Sequence, residues 1–194
     1  MAKIVVSEFL TLDGVMQAPG GKDEDTSGGF DKGGWQLGYP DEGFGNVVME
    51  GFERADGLLL GRRTYDIFAG YWPRQAADDP VAKYMNRFHK YVVSTTLTEP
   101  LSWENSTLLK GDVPTAVNEL RSKPGKDIQV IGSGGLAQTL IANNLVDEYK
   151  LMVYPFVFGK GKKLFREGTE GPQLKLADST ATDGGVVILT YVPA

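Results

Sequence analysis

The first apolar run is Ile4, Val5, Val6 and Phe9, with Ser7 and Thr11 set between, a β-branched opening that predicts a strand ended by Asp13-Gly14. Periodicity then disappears. Residues 13 to 45 hold ten glycines, too much loop for a compact domain unless it binds, covers or moves. Phe44, Val47, Val48 and Phe52 recur at i, i+3, i+4 and i+8, which predicts a helix over 44–55 with one buried face. Gly57-Leu58-Leu59-Leu60-Gly61 reads as a short buried strand, and Arg62 to Ala69 and Val81 to Phe88 read as helices parted by Trp72-Pro73. The next strand is Tyr91-Val92-Val93-Ser94, followed by a helix over Val113 to Arg121 that breaks at Pro124-Gly125.

Ile128-Gln129-Val130-Ile131 is a further strand, running into Gly132-Ser133-Gly134-Gly135 and an amphipathic helix from Leu136 to Ala142. Val146 to Phe158 reads as a long strand. The last two runs, Gln173 to Ala181 and Val186 to Val192, flank Asp183-Gly184-Gly185, a hairpin signal. Strand and helix alternate until an antiparallel finish, which predicts an α/β fold with a mixed sheet and helices on both faces. No repeat, linker or shift in composition divides residues 1–194, so one domain is expected.

Composition narrows the function. With no cysteine in 194 residues there is no disulfide framework, thiolate nucleophile or cysteine zinc site, which fits a cytoplasmic protein. No apolar stretch reaches the roughly 18 residues of a membrane span, and Met1 to Leu10 lacks the order of a signal peptide. A net charge of −5 argues against a nucleic-acid partner, because that affinity rests on lysine and arginine neutralising phosphates. His89 is the single histidine, which excludes histidine-rich metal sites, and Ser133 has no evident base to make it a triad nucleophile. A structural role suits His89 better.

Three strand ends carry chemistry: Gly61-Arg62-Arg63-Thr64, Ser94-Thr95-Thr96 and Gly132-Ser133-Gly134-Gly135. Ligands of open α/β sheets collect outside the carboxyl ends of the strands, where all three would project. Glycines let backbone approach a ligand closely, a helix start favours an anion, and the arginine fork matches phosphate oxygens. Thr64 is a natural cap for its helix. One diphosphate held between two helix starts is the expected arrangement. Gly132-x-Gly134-x-x-Ala137 also fits the letters of the Rossmann fingerprint, but the acid at the end of the next strand is missing.

Gly61-Arg62-Arg63-Thr64-Tyr65 after an apolar strand resembles the Gly-Arg-x-Thr segment of dihydrofolate reductases. Val130-Ile131-Gly132-Ser133-Gly134 resembles their glycine-rich turn, and the stretch from Leu145 through Tyr154-Pro155 to Phe165 is similar to their late strand and the loop after it. The opening, with Leu12-Asp13-Gly14, looks closer to the reductase domain of bacterial riboflavin biosynthesis, the RibD C-terminal family, which shares that fold. The resemblance implies a dihydrofolate reductase-like mixed eight-stranded sheet, NADPH as hydride donor, and a homodimer. By position it assigns Gly61, Arg62, Arg63 and Thr64 to the cofactor diphosphate, with Gly132, Ser133, Gly134 and Gly135 opposite. Ser94 and Thr95 fall near the adenosine end, and Asp13 and Gly14 near the nicotinamide.

The family's glycine pair reads Gly132-Ser133 here, where a non-proline cis peptide would cost about 3 kcal/mol. The folate enzymes place a carboxylate shortly after a tryptophan. Here Trp35 is followed by Asp41 and Glu42, and Asp41 is taken as the acid facing substrate. Trp35, Tyr39, Phe156 and Phe158 are candidates to line a flat heteroaromatic pocket. The expected activity is an NADPH-dependent reduction of a pterin-like or aminouracil-like heterocycle, or of a carbonyl or imine. The competing reading is a nucleotide-binding sensor that keeps the groove without turnover.

Overall fold

The computed structural model describes residues 1–39 and 41–194, without the side chains of Glu42 and Phe44. Eight strands form one sheet in the order β4-β3-β2-β5-β1-β6-β8-β7. They are β1 Ile4–Thr11, β2 Ala55–Gly61, β3 His89–Val93, β4 Ser106–Leu109, β5 Asp127–Ile131, β6 Glu148–Tyr154, β7 Leu174–Ala181 and β8 Val187–Pro193. Strands β1 to β6 pair in parallel, whereas β8 runs antiparallel to both β6 and β7. The mixed sheet with an antiparallel finish is the architecture expected.

Five α-helices cover it: α1 Glu42–Arg54, α2 Arg62–Tyr71, α3 Pro80–Arg87, α4 Val113–Ser122 and α5 Gly134–Ala142. Val117 and Leu120 of α4 and Leu136, Ala137, Leu140 and Ile141 of α5 join Ile4, Val6, Leu10, Ile128 and Val130 in the core on one face. Phe52 of α1, Tyr65 of α2 and Met85 of α3 meet Leu58, Leu60 and Val92 on the other. Helices therefore pack on both faces. In α1, Val48 packs beside Phe52 while Val47 reaches a third cluster, around Tyr154. The side chain of Phe44, expected on the same face, lies outside the described residues.

Two differences from the sequence reading have a local reason. The long strand stops at Tyr154 because Pro155 has no N–H to give the ladder, and the Phe156 N–H turns back to the Tyr154 carbonyl at 2.8 Å. Strand β4 has no counterpart in the apolar pattern. Its four half-buried residues run along an edge, pairing Thr107 with Tyr91 of β3. His89 opens β3 and bonds Thr107 Oγ1 through Nε2 at 2.9 Å, so it stands at the far end of the sheet from the carboxyl edge.

Candidate functional site

Strands β2 and β5 are parallel neighbours, so α2 and α5, which leave their carboxyl ends, begin side by side. Two reciprocal bonds lock the starts together. The Gly61 N–H donates to Ser133 Oγ at 3.0 Å, and the Ser133 N–H donates to Thr64 Oγ1 at 2.9 Å. Gly132 and Ser133 both take left-handed backbone, φ +60° and +55°, and a Cβ on Gly132 would come within 3.2 Å of Thr64 Oγ1. Among the described residues the cis peptide is Glu99-Pro100, so Gly132-Ser133 is trans. Thr64 joins the two turns; it does not cap its own helix, whose N-cap position is Gly61. The Ser133 hydroxyl is likewise spent on structure, donating to the Ile131 carbonyl at 3.2 Å.

Capping separates these helices from their neighbours. Asp79 accepts from the Ala82 N–H at 2.8 Å to cap α3, and Asp112 accepts from the Thr115 N–H at 2.9 Å to cap α4. Neither Gly61 nor Ser133 offers a side-chain cap. The first-turn N–H groups at Arg62, Arg63, Gly134 and Gly135 thus form adjoining donor sets at positive helix ends. Along the first turns of α2 opens a cleft of about 460 Å³ walled by Glu24, Arg62, Arg63, Asp66 and Ile67. Arg62 reaches Asp66 at 3.4 Å and the Thr96 hydroxyl, tying α2 to the end of β3. Ser94 is buried there, its Oγ accepting the N–H groups of Thr96 at 3.2 Å and Leu97 at 3.1 Å, and Thr95 stands exposed beside it. This donor set fits a diphosphate.

The long early segment is folded against the sheet. The Gln17 amide donates to the carbonyls of Asp25 and Ser27 at 2.9 and 3.0 Å and accepts from the Lys162 N–H at 2.9 Å, while its own carbonyl accepts from Trp35 Nε1 at 2.8 Å. Asp25 in turn sits between Arg63, at 3.1 Å, and Lys162, at 2.5 Å. Burial raises its pKa, but the bonds from Lys162 and Ser27 more than offset that and hold it at about 2. An acid of the chain's own therefore occupies the Arg63 guanidinium.

Asp13 is not open towards a ligand as expected. Its carboxylate accepts from Thr11 Oγ1 at 2.6 Å and from the N–H groups of Phe158 and Gly159 at 3.2 and 2.8 Å, fastening the end of β1 to the loop after β6. Burial opposes ionisation, and these bonds outweigh it, leaving the group below its usual range. Gly14 turns the chain there at φ +80°.

The aromatic residues are together and pack on one another. Trp35 is buried, edge-on to Tyr154, Phe156 and Phe158 at 5.4, 6.2 and 5.9 Å between ring centroids. Phe156 stacks on Phe158 at 5.7 Å, and Tyr39 closes on Tyr154 at 5.3 Å. Trp35 is thus core, contrary to the pocket-lining expectation. Asp41, just before α1, accepts from the Thr182 hydroxyl of the β7–β8 turn. Burial, and more weakly the Asp41 charge, push the Tyr154 phenol up to about 12.

Glu8 is a residue the sequence reading passed over. It sits buried in β1 in phase with Val6 and Leu10, and that carboxylate between apolar neighbours was the available signal. The Asp25 contacts had no local signal.

The family model described as the RibD C-terminal domain matches residues 2–188. An uncharacterised Bacillus subtilis protein, YyaP, is 30% identical over 97% of this chain and 94% of its own length. A putative riboflavin biosynthesis protein from Shewanella sp. PV-4 superposes with a TM-score of 0.74 at 26% identity, covering 100% and 99% of the two chains. A pyrimidine reductase-like protein from Corynebacterium diphtheriae shares the fold, with a TM-score of 0.67 at 12% identity over 98% and 91%. No helix among the described residues is long and apolar enough to cross a membrane.

Proposed function

The chain belongs to the RibD C-terminal domain family, and from that premise we propose that it is an NADPH-dependent reductase of a small electron-poor heterocycle, aminouracil-like or pterin-like, or of a carbonyl or imine. One observation carries the reading: two helix starts without side-chain caps, bonded to each other, beside a cleft walled by two arginines. The N–H groups of Arg62, Arg63, Gly134 and Gly135 hold the diphosphate, and the Arg62 and Arg63 side chains add charge. Ser94, Thr95 and Thr96 lie towards the adenosine end.

The bound nicotinamide supplies a hydride. A proton must reach the substrate as well, and we assign it to Asp41, oriented by Thr182. The aromatic cluster beside Asp41 excludes water and, by opening between Tyr39 and Phe156, admits a flat ring. The resemblance adds a homodimer, which sedimentation of the purified chain tests, and the absence of cysteine fits a cytoplasmic setting.

Calorimetric titration with NADPH and NADH, followed by NADPH oxidation with aminouracils, pterins and quinones, tests the proposal. Binding with turnover of one of these acceptors is the expected result. Binding without turnover of any acceptor favours the sensor reading, and absence of binding overturns both.

A further inference from the structure

In β1 the residues Ile4, Val6 and Leu10 enter the core beneath α5, and Glu8 lies in phase with them. It is 4% exposed, and its Oε1 has no hydrogen-bond partner among the described residues. The pairing of Ser7 with Ile131 sets Glu8 opposite Gly132, the first residue of the turn that opens α5. A buried carboxyl with one oxygen left without a partner costs stability, and Val6 and Leu10 show what the packing itself would accept.

Burial pushes Glu8 well above the carboxylate range, the Gly132 N–H pulls the other way, and the charge of Glu24 pushes it up again. The form that burial favours is the neutral acid. It presents an O–H donor next to a carbonyl acceptor, the complement of a primary carboxamide, which offers an acceptor and a donor in the same spacing. We propose that Glu8 is a positioning residue that receives the carboxamide of a pyridine nucleotide whose diphosphate rests on the starts of α2 and α5. This rests on the reductase reading above. Met16 lies against Gly134, where an added Cβ would be 3.2 Å from its sulfur, and Glu24 walls the cleft.

Ribose hydroxyls beside the diphosphate offer a similar hydrogen-bonding group, so the test must separate them from the carboxamide. Calorimetry compares NADPH with ADP-ribose 2′-phosphate, which keeps phosphates and ribose hydroxyls but lacks the nicotinamide. Glu8→Leu is expected to melt above the unaltered chain, to bind NADPH about tenfold more weakly, and to bind ADP-ribose 2′-phosphate as before. Glu8→Gln keeps a donor and an acceptor and should hold NADPH within about threefold. The unaltered protein supplies an independent arm: replacing the carboxamide of NADP by a carboxylate should weaken binding about tenfold, since a carboxylate offers no donor.

Equal affinity for the amide and the acid, or unchanged NADPH affinity in Glu8→Leu, overturns the proposal. Parallel loss of both nucleotides moves the bond to the ribose and overturns the carboxamide assignment. No binding of NADPH by the unaltered chain overturns this inference together with the reductase reading, so the two failures are distinguishable.

Discussion

The edge of the sheet at β2 and β5 and its continuation at β6 and the β7–β8 hairpin are built from opposite materials. The first is glycine, hydroxyl and guanidinium, with helix starts that have no side-chain cap and a cleft along α2. The second is five aromatic rings filling one another's faces. An anion site can stand ready because its donors are backbone groups fixed by the helices. An apolar site left open in water has no such support, so its walls collapse onto each other. On the reading proposed above, the contrast assigns nucleotide affinity to one end and fold stability to the other.

Trp35→Ala tests that division most severely. Removing a buried indole from the cluster should cost about 3 to 5 kcal/mol in chemical denaturation, while affinity for ADP-ribose 2′-phosphate in the surviving folded fraction stays within about twofold. A matching loss of affinity would show the two ends to be coupled. Next in size, replacing Arg62 and Arg63 together by Ala should weaken NADPH binding by about 2 to 3 kcal/mol, with stability moving by less than about 1 kcal/mol, because both side chains are half-exposed or more. Unchanged affinity in calorimetry would remove the arginines from the site.

Asp25 sharpens the picture at intermediate size. Asp25→Asn frees Arg63 and Lys162 and should tighten inorganic pyrophosphate binding several-fold, about 1 kcal/mol. The same contact sets a pH response. The folded pKa of about 2 lies below the ordinary 3.8, so its stabilisation is present above about pH 4 and is lost as pH falls through the interval to about 2. Trp35 fluorescence, reporting the segment anchored through Gln17, should change across that window in the unaltered chain and lose this component in Asp25→Asn. The smallest effect is expected for Thr64→Val, which leaves the Ser133 N–H without its acceptor and should cost about 1 kcal/mol by thermal melting.

How much of this was legible depended on distance along the chain. Gly61-Arg62-Arg63-Thr64 and Gly132 to Gly135 carry their chemistry locally, since glycine permits positive φ and arginine carries its charge wherever it stands. Their adjacency followed from strand order alone. Thr64 was legible as a helix-start hydroxyl, but its partner, 69 residues away, was not. Asp13 reads as a neighbour of the nicotinamide and Asp25 carries no local sign of its role, because the backbone amides of Phe158 and Gly159 and the side chain of Lys162 come from beyond 130 positions on. Trp35 was read as a wall because an aromatic residue has the same letter in a core and in a pocket. Strand β4 escaped because an edge strand half-buried along its length shows no alternation.

The four bonds made by Gln17 have a kinetic meaning. They join Asp25, Ser27, Trp35 and Lys162 to one residue, and with the ion pairs of Asp25 to Arg63 and Lys162 they make one linked set of contacts. Breaking it releases the whole stretch at once instead of fraying it from either side. Amide hydrogens from Ala18 to Gly34 should accordingly exchange with solvent at one shared opening free energy, smaller than that of the sheet beneath, which makes this stretch a cooperative unit of its own.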